Sequence, residues 1–162
     1  MPIITFGGRD EMTLNHDLKG KEYQQVDMIV ERDLVARFDD AIGEDNPVFR
    51  NSAAAREAGF DEQLAPPTFV TTMQTRTSGQ VVLDQELGLD YSRVVHGEQE
   101  YEYIRPVVVG ETLTATPRLA DIYAKGPNEY LVIEAEVNDA NGETVVVARS
   151  TLLSRGTAGG SS

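Results

Sequence analysis

Apolar positions along the chain follow two rhythms. "EYQQVDMIV", Glu22 to Val30, reads as a first strand. In the following "ERDLVARFDDAIG", Leu34, Val35, Phe38, Ala41 and Ile42 fall at i, i+1, i+4, i+7 and i+8, one face of a helix that Gly43 stops. "NSAAAREAGF" predicts a short helix capped by Asn51 or Ser52 and ended by Gly59. In "APPTFVTTMQTRTSGQVVLD", Phe69 and Met73 are four apart, as are Thr77 and Val81. Pro66 and Pro67 suit a helix start, while the threonines and Gly79 lower helix propensity. The spacing predicts a long buried helix.

Beyond it the rhythm is two. In "RVVHGEQEYEYIRP", Gln99, Tyr101 and Tyr103 share one face and Glu98, Glu100 and Glu102 the other. Alternation then puts His96 with Glu98, away from Tyr101. "ETLTATPRLADIYAK" is a strand with a kink expected near Pro117. "EYLVIEAEV" sets Leu131, Ile133, Ala135 and Val137 on one face, Asn141-Gly142 signals a hairpin turn, and "TVVVARSTLL" returns. The order predicts an α+β domain over 18–155, a long helix wrapped by an antiparallel sheet of about five strands. Residues 1–17 are expected to form a flexible arm and 156–162 a disordered tail.

Composition narrows the classes. The 162 residues suit one domain. With no cysteine, disulfides, thiolate metal sites and a cysteine nucleophile are excluded. The start of the chain lacks a basic region followed by an apolar core, so no secretory signal is read and a cytoplasmic location is expected. The net charge of −13, from 27 acids against 14 Lys plus Arg, disfavours nucleic acid and anionic membranes as partners. No His, Asp and Glu cluster has metal-ligand spacing, no glycine-rich phosphate loop is present, and no cofactor is expected.

"AIGEDNPVF", "AAREAGF", "APPTFV" and "VVHGEQEYEYIRPVVVGETL" occur in that order. The set resembles the MaoC-like hot dog dehydratases, and in particular actinobacterial single-domain relatives of the small subunits of (3R)-hydroxyacyl-carrier-protein dehydratase. The resemblance implies a single hot dog fold, an acyl thioester of coenzyme A or carrier protein as ligand, and a homodimer or a heterodimer with a catalytic subunit of the same kind. It also implies water addition to an enoyl thioester, or the reverse. That chemistry needs a base for the water, an acid at C2 and a donor to the thioester oxygen. Family enzymes are similar in using Gly-Asp-x-Asn-Pro-x-His. Carried onto this chain, the aspartate falls on Glu44 and the histidine on Phe49, while Gly43, Asn46, Pro47 and Val48 match. Losing a general acid–base costs about 10²–10⁴-fold. An extra methylene displaces the carboxylate by roughly an ångström, worth about 10²-fold. Asp45 adjoins Glu44 but does not replace an imidazole.

The expectation is an acyl-binding subunit without a catalytic dyad. The alternatives are a stand-alone hydratase using Glu44, Asp45 or His96, a thioesterase using Glu62 or Gln63, and a non-enzymatic thioester-binding module. Candidate substrate contacts are Asn46, Pro67, Thr68, Phe69, His96 and Gly97. Against a ligand role, His96 is read as a hydrogen bonder at a strand end or subunit seam and Gly97 as room for the central helix. Gln99 is a buried amide needing partners, the Pro67–Phe69 segment a plain helix start, and Tyr101 and Tyr103 core. His16 is given no role.

Overall fold

The structure, a computed structural model, describes residues 13–159. Five strands make one antiparallel sheet: β1 (Val26–Ile29), β2 (Val94–Tyr103), β3 (Thr112–Lys125), β4 (Asn128–Asn138) and β5 (Thr144–Ser154). Their order is β1-β3-β4-β5-β2, so β1 and β2 are the edges. The helices α1 (Arg32–Ile42), α2 (Pro47–Arg50), α3 (Ser52–Glu57) and α4 (Thr71–Val82) all lie between β1 and β2 in sequence. The sheet curls against α4, which packs on β1, β3 and β4. The result is the expected hot dog architecture.

The stripe read in the sequence holds this core. Phe69, Met73, Thr77 and Val81 are all at most 2% exposed. Phe69 meets the edge of Phe38 from α1, ring centres 5.5 Å apart. Each large apolar side chain so buried is worth about 1.5–3 kcal/mol. The buried Thr77 hydroxyl donates to Gln74 O at 3.0 Å, so the one polar member is satisfied. From the sheet, Leu113, Ala115, Leu119, Leu131, Ile133, Ala135 and Val137 close on this stripe. The β4–β5 hairpin turns where Asn141-Gly142 places it, with Gly142 at φ 79°.

Several boundaries differ from the sequence reading. Pro66 and Pro67 precede the helix rather than open it. The chain turns through 67–70, with Phe69 N bonded to Pro66 O, and α4 starts at Thr71. The first strand shrinks to Val26–Ile29 because its pairing with β3 slips by one residue at Gln24: Val26 faces Ala115 but Glu22 faces Arg118, and Tyr23 N donates to Pro117 O at 2.9 Å while Pro117 has no N–H to return. The Gln80 side chain takes over there, accepting from Gln24 N at 3.0 Å and donating to Gln24 O at 2.8 Å. The irregularity of β3 falls at Ala120, between Leu119 and Asp121, not at Pro117 itself. On α1, Ala41 and Ile42 are exposed, and the stripe is Val35 and Asp39 flanked by half-buried Leu34 and Phe38.

Of the segment expected to be an arm, residues 1–12 lie outside the described residues and 13–17 are docked. Leu14 is 3% exposed, and His16 Nε2 lies 2.6 Å from Glu129, a fully buried carboxylate. His16 therefore pins this segment to the start of β4. Of the expected tail, 160–162 lie outside the described residues, and Thr157 is buried with its hydroxyl on Ser154 O. No helix among the described residues is long and apolar enough to cross a membrane.

Candidate functional site

The loop Gly43–Arg50 is built by local rules. Gly43 ends α1 at φ 73°, a conformation that suits glycine. Asn46 caps α2 through Oδ1, which accepts from Val48 N at 3.2 Å, and Pro47 takes the first helical position. The Asn-Pro of the motif is thus a helix start. Glu44 turns back on this loop, its Oε1 accepting from Asn46 N at 2.9 Å. Arg50 fastens the far end, donating from Nε to Glu44 O at 2.7 Å and from Nη1 to Asp40 at 2.6 Å.

Phe49 sits half-buried in the wall of an apolar pocket of about 370 Å³, with Leu64, Pro67, Tyr103, Ile104 and Val107. The side chain at the motif's histidine position thus meets hydrocarbon, and Glu44 is not in this wall. Tyr103 Oη donates to Pro67 O at 2.6 Å. Burial pushes its phenol well above the ordinary value, so it stays protonated. Arg105 also borders the pocket, but its guanidinium is held by Glu111 at 2.8 Å and Asp139 at 3.1 Å.

The remaining candidates are dispersed. Pro67 joins Phe49 in the pocket wall, and Thr68 is exposed beside it. Phe69 is 0% exposed and belongs to the core. The amides of Phe69, Thr71, Thr72 and Met73 are bonded to carbonyls three residues back. His96 lies in a different groove, of about 440 Å³, with Gln74, Thr75, Ser78, Gln99 and Ser150. Alternation had put His96 on the far face with Glu98. A β-bulge at Gly97 shifts the register between His96 and Glu98, so His96 shares the helix side with Gln99. A Cβ on Gly97 would meet Thr151 O at 3.2 Å, so the close neighbour of Gly97 is β5 and not the central helix.

Asp39 escaped the sequence reading, and Gln63, weighed there for a thioesterase, holds the loop instead. Asp39 is 0% exposed and neither carboxylate oxygen has a hydrogen bond among the described residues. Burial raises its pKa, opposed by Arg50, whose Nε is 4.0 Å away. Its place four residues after Val35, inside the apolar stripe, was the available signal. Gln63 is 1% exposed and bridges the site: Nε2 donates to Phe49 O at 2.6 Å, and Oε1 accepts from Arg32 Nη1. Glu62 is drawn down to about 2 by the Ser52 hydroxyl, Gln63 N and Arg32. Both side chains weighed for a thioesterase are therefore committed to holding the loop. Among the described residues, no group of three or more His, Cys, Asp or Glu is placed to hold a metal ion.

Comparison with known proteins agrees with this geometry. The model of the FAS1-like, dehydratase domain region family matches residues 17–148. A UPF0336 protein of Streptomyces avermitilis is 41% identical over 145 residues, covering 89% of this chain and 97% of the relative. One subunit of the HadBC (3R-hydroxyacyl-ACP dehydratase) complex from Mycobacterium tuberculosis superposes with TM-score 0.75 at 26% identity, over 85% of this chain and 97% of that one. A MaoC-like dehydratase superposes with TM-score 0.78 at 23% identity, over 85% of this chain and 42% of that one, a likeness of fold. With its sheet order, its wrapped helix and these matches, the chain belongs to the FAS1-like, dehydratase domain region family, beside the actinobacterial single-domain UPF0336 proteins, and shares its hot dog fold with the MaoC-like dehydratases.

Proposed function

We propose that this chain is the acyl-binding, non-catalytic subunit of a (3R)-hydroxyacyl-thioester dehydratase, or of the hydratase that runs the reverse reaction. Its partner is a second hot dog subunit carrying the intact aspartate and histidine. The observation that carries this reading is Phe49, whose ring lines an apolar pocket at the position where the family places an imidazole. A benzene ring neither takes nor gives a proton, while it is a good wall for an acyl chain. Glu44 supports the same reading, since its carboxylate is occupied by Asn46 N of its own loop. His96 does not stand in for the missing imidazole, because it opens on a groove that shares no lining residue with the Phe49 pocket. The relative from Mycobacterium tuberculosis is a two-subunit dehydratase, which supports a heteromeric assembly. The acyl group is carried as a thioester on coenzyme A or on a carrier protein.

The test is a pair of measurements on the purified chain. It hydrates short enoyl-coenzyme A without measurable turnover, yet binds a saturated acyl-coenzyme A saturably, and Phe49→Asp weakens that binding roughly tenfold or more by placing a charge in the apolar wall. Turnover by the chain alone that Glu44→Gln abolishes would overturn the reading.

A further inference from the structure

The outward side of the sheet carries an apolar row. Tyr123 pairs with Tyr130, Tyr130 with Leu153 and Leu153 with Val95, so one side chain from each of β3, β4, β5 and β2 stands in line. Their chain neighbours Ile122, Leu131 and Leu152 are buried in the cluster that holds Val81 of α4, which puts the row on the opposite face. Tyr123 and Val95 are 39% and 37% exposed, and the two tyrosine rings lie parallel with centres 5.0 Å apart. A solvated face of an antiparallel sheet is ordinarily polar. Further along the same face that rule holds: Glu134 takes Arg118 at 2.6 Å and Arg149 at 2.8 Å. Stacking across β3 and β4 accounts for the two rings. It does not account for Leu153 and Val95, which carry the row on to the sheet edge.

The charges beside the row follow a pattern. The strand directions put Lys125 and Arg93 on one side of it and Asp121 and Glu98 on the other. Turned over about an axis along the row, a second copy lays its own row on this one, with its Asp121 toward Lys125 and its Glu98 toward Arg93. About an axis along the strands, Lys125 would instead meet Arg93, and Asp121 would meet Glu98. Opposite charges thus select the first axis. Asp121 and Arg93 also have local counter-ions, Lys19 at 2.8 Å and Asp90 at 3.3 Å, so the charges set orientation more than strength.

We propose that the outward face of the sheet binds a second copy of this chain, row on row, about the axis that runs along Tyr123, Tyr130, Leu153 and Val95. The row crosses three strand spacings, roughly 14 Å. The contact is therefore weak beside a standard interface of about 800 Å² per partner. It shares no residue with the Phe49 pocket and does not rest on the reading above.

The experiment uses the full chain, which has no cysteine of its own. Tyr130→Cys is treated with a short bismaleimide and should give a covalent dimer. Copies paired through the β2 edge would hold these cysteines about 24 Å or more apart, because β4 lies two strands in from that edge, and the reagent is chosen too short to span that distance. Glu136→Cys, about 20 Å further along β4, should give none. Sedimentation across a concentration series from micromolar upward should show a native mass that rises. Tyr123→Glu puts a charge in the row and should weaken this association roughly tenfold or more. Lys125→Glu, an exposed change that leaves the fold intact, should weaken it roughly two- to fivefold. Adding Asp121→Lys to Lys125→Glu should restore it. No dimer from Tyr130→Cys, equal cross-linking at Glu136→Cys, a native mass independent of concentration, or association unchanged or strengthened by Lys125→Glu would overturn the proposal.

Discussion

Gln63 Nε2 donates to the carbonyl oxygen of Phe49 at 2.6 Å from a position only 1% exposed. The backbone of the residue that replaces the family histidine is therefore held by a buried amide, whose other end accepts from Arg32 of α1. Gln63→Ala leaves a carbonyl and a guanidinium without that partner. It should destabilise the chain by about 1–3 kcal/mol, the cost of unmade buried hydrogen bonds. Urea unfolding of the variant checks this.

Glu62 supports the same loop from outside and gives a pH dependence. Its carboxyl is lowered from 4.5 to about 2, first by the Ser52 hydroxyl and then by Gln63 N. A depressed acid contributes stability that is full above the unfolded value and is lost as pH falls toward the folded one. The urea midpoint of the native chain should therefore exceed that of Glu62→Gln above about pH 5, and the gap should close between pH 4.5 and 2. A gap constant down to pH 2 would show that the carboxylate charge is not what Ser52 and Gln63 hold.

Asp39 has the opposite sign. Its folded pKa is raised by burial, so the native state keeps a proton that the unfolded chain has released. Its ionisation costs stability as pH rises from the ordinary aspartate range through the raised value, and the cost persists above it. Asp39→Asn should raise the melting temperature at pH 7 and flatten its fall across that window. A melting temperature lowered equally at all pH values would mean that the attraction from Arg50, 4.0 Å away, outweighs burial.

The parts of the fold that one segment decides were legible. The spacing of Phe69, Met73, Thr77 and Val81 is enough to bury them together, and Gly43 and Gly142 each terminate their element by their own conformational freedom. What required a second strand was not. The bulge at Gly97 exists only in the register of β2 on β5, so alternation within β2 put His96 on the wrong side. The early end of β1 goes with a slip in its pairing beside Pro117, some ninety residues away in sequence, and Gln24 is bonded there by a helix side chain, Gln80. At the site, the motif gave the degenerate positions Glu44 and Phe49, but not what occupies them. The turn of Glu44 onto Asn46 N and the pocket around Phe49 depend on Leu64, Pro67 and Tyr103 converging from outside the loop.

Among the described residues the sheet ends on β2, ten residues long with one side unpaired, and a long open edge invites pairing. The chain should therefore associate through it. Sedimentation at micromolar concentration should give a mass above 17.8 kDa, and replacing Gly97 by valine, which crowds Thr151 O and disturbs β2, should shift the chain toward monomer. A monomeric native chain would contradict this.

The direct test of the central claim is the activity of the assembled complex. The chain is co-expressed with a hot dog partner carrying Gly-Asp-x-Asn-Pro-x-His, and enoyl-thioester hydration is measured for three complexes confirmed to be assembled. Against the native complex, Glu44→Ala in this chain should leave turnover within about twofold, since its carboxylate is tied to its own loop. Replacing the partner's motif histidine should lower turnover by about 10²–10⁴-fold, the worth of a general acid–base. Loss of turnover on Glu44→Ala in an intact complex would contradict the account and make this chain one half of a shared catalytic site.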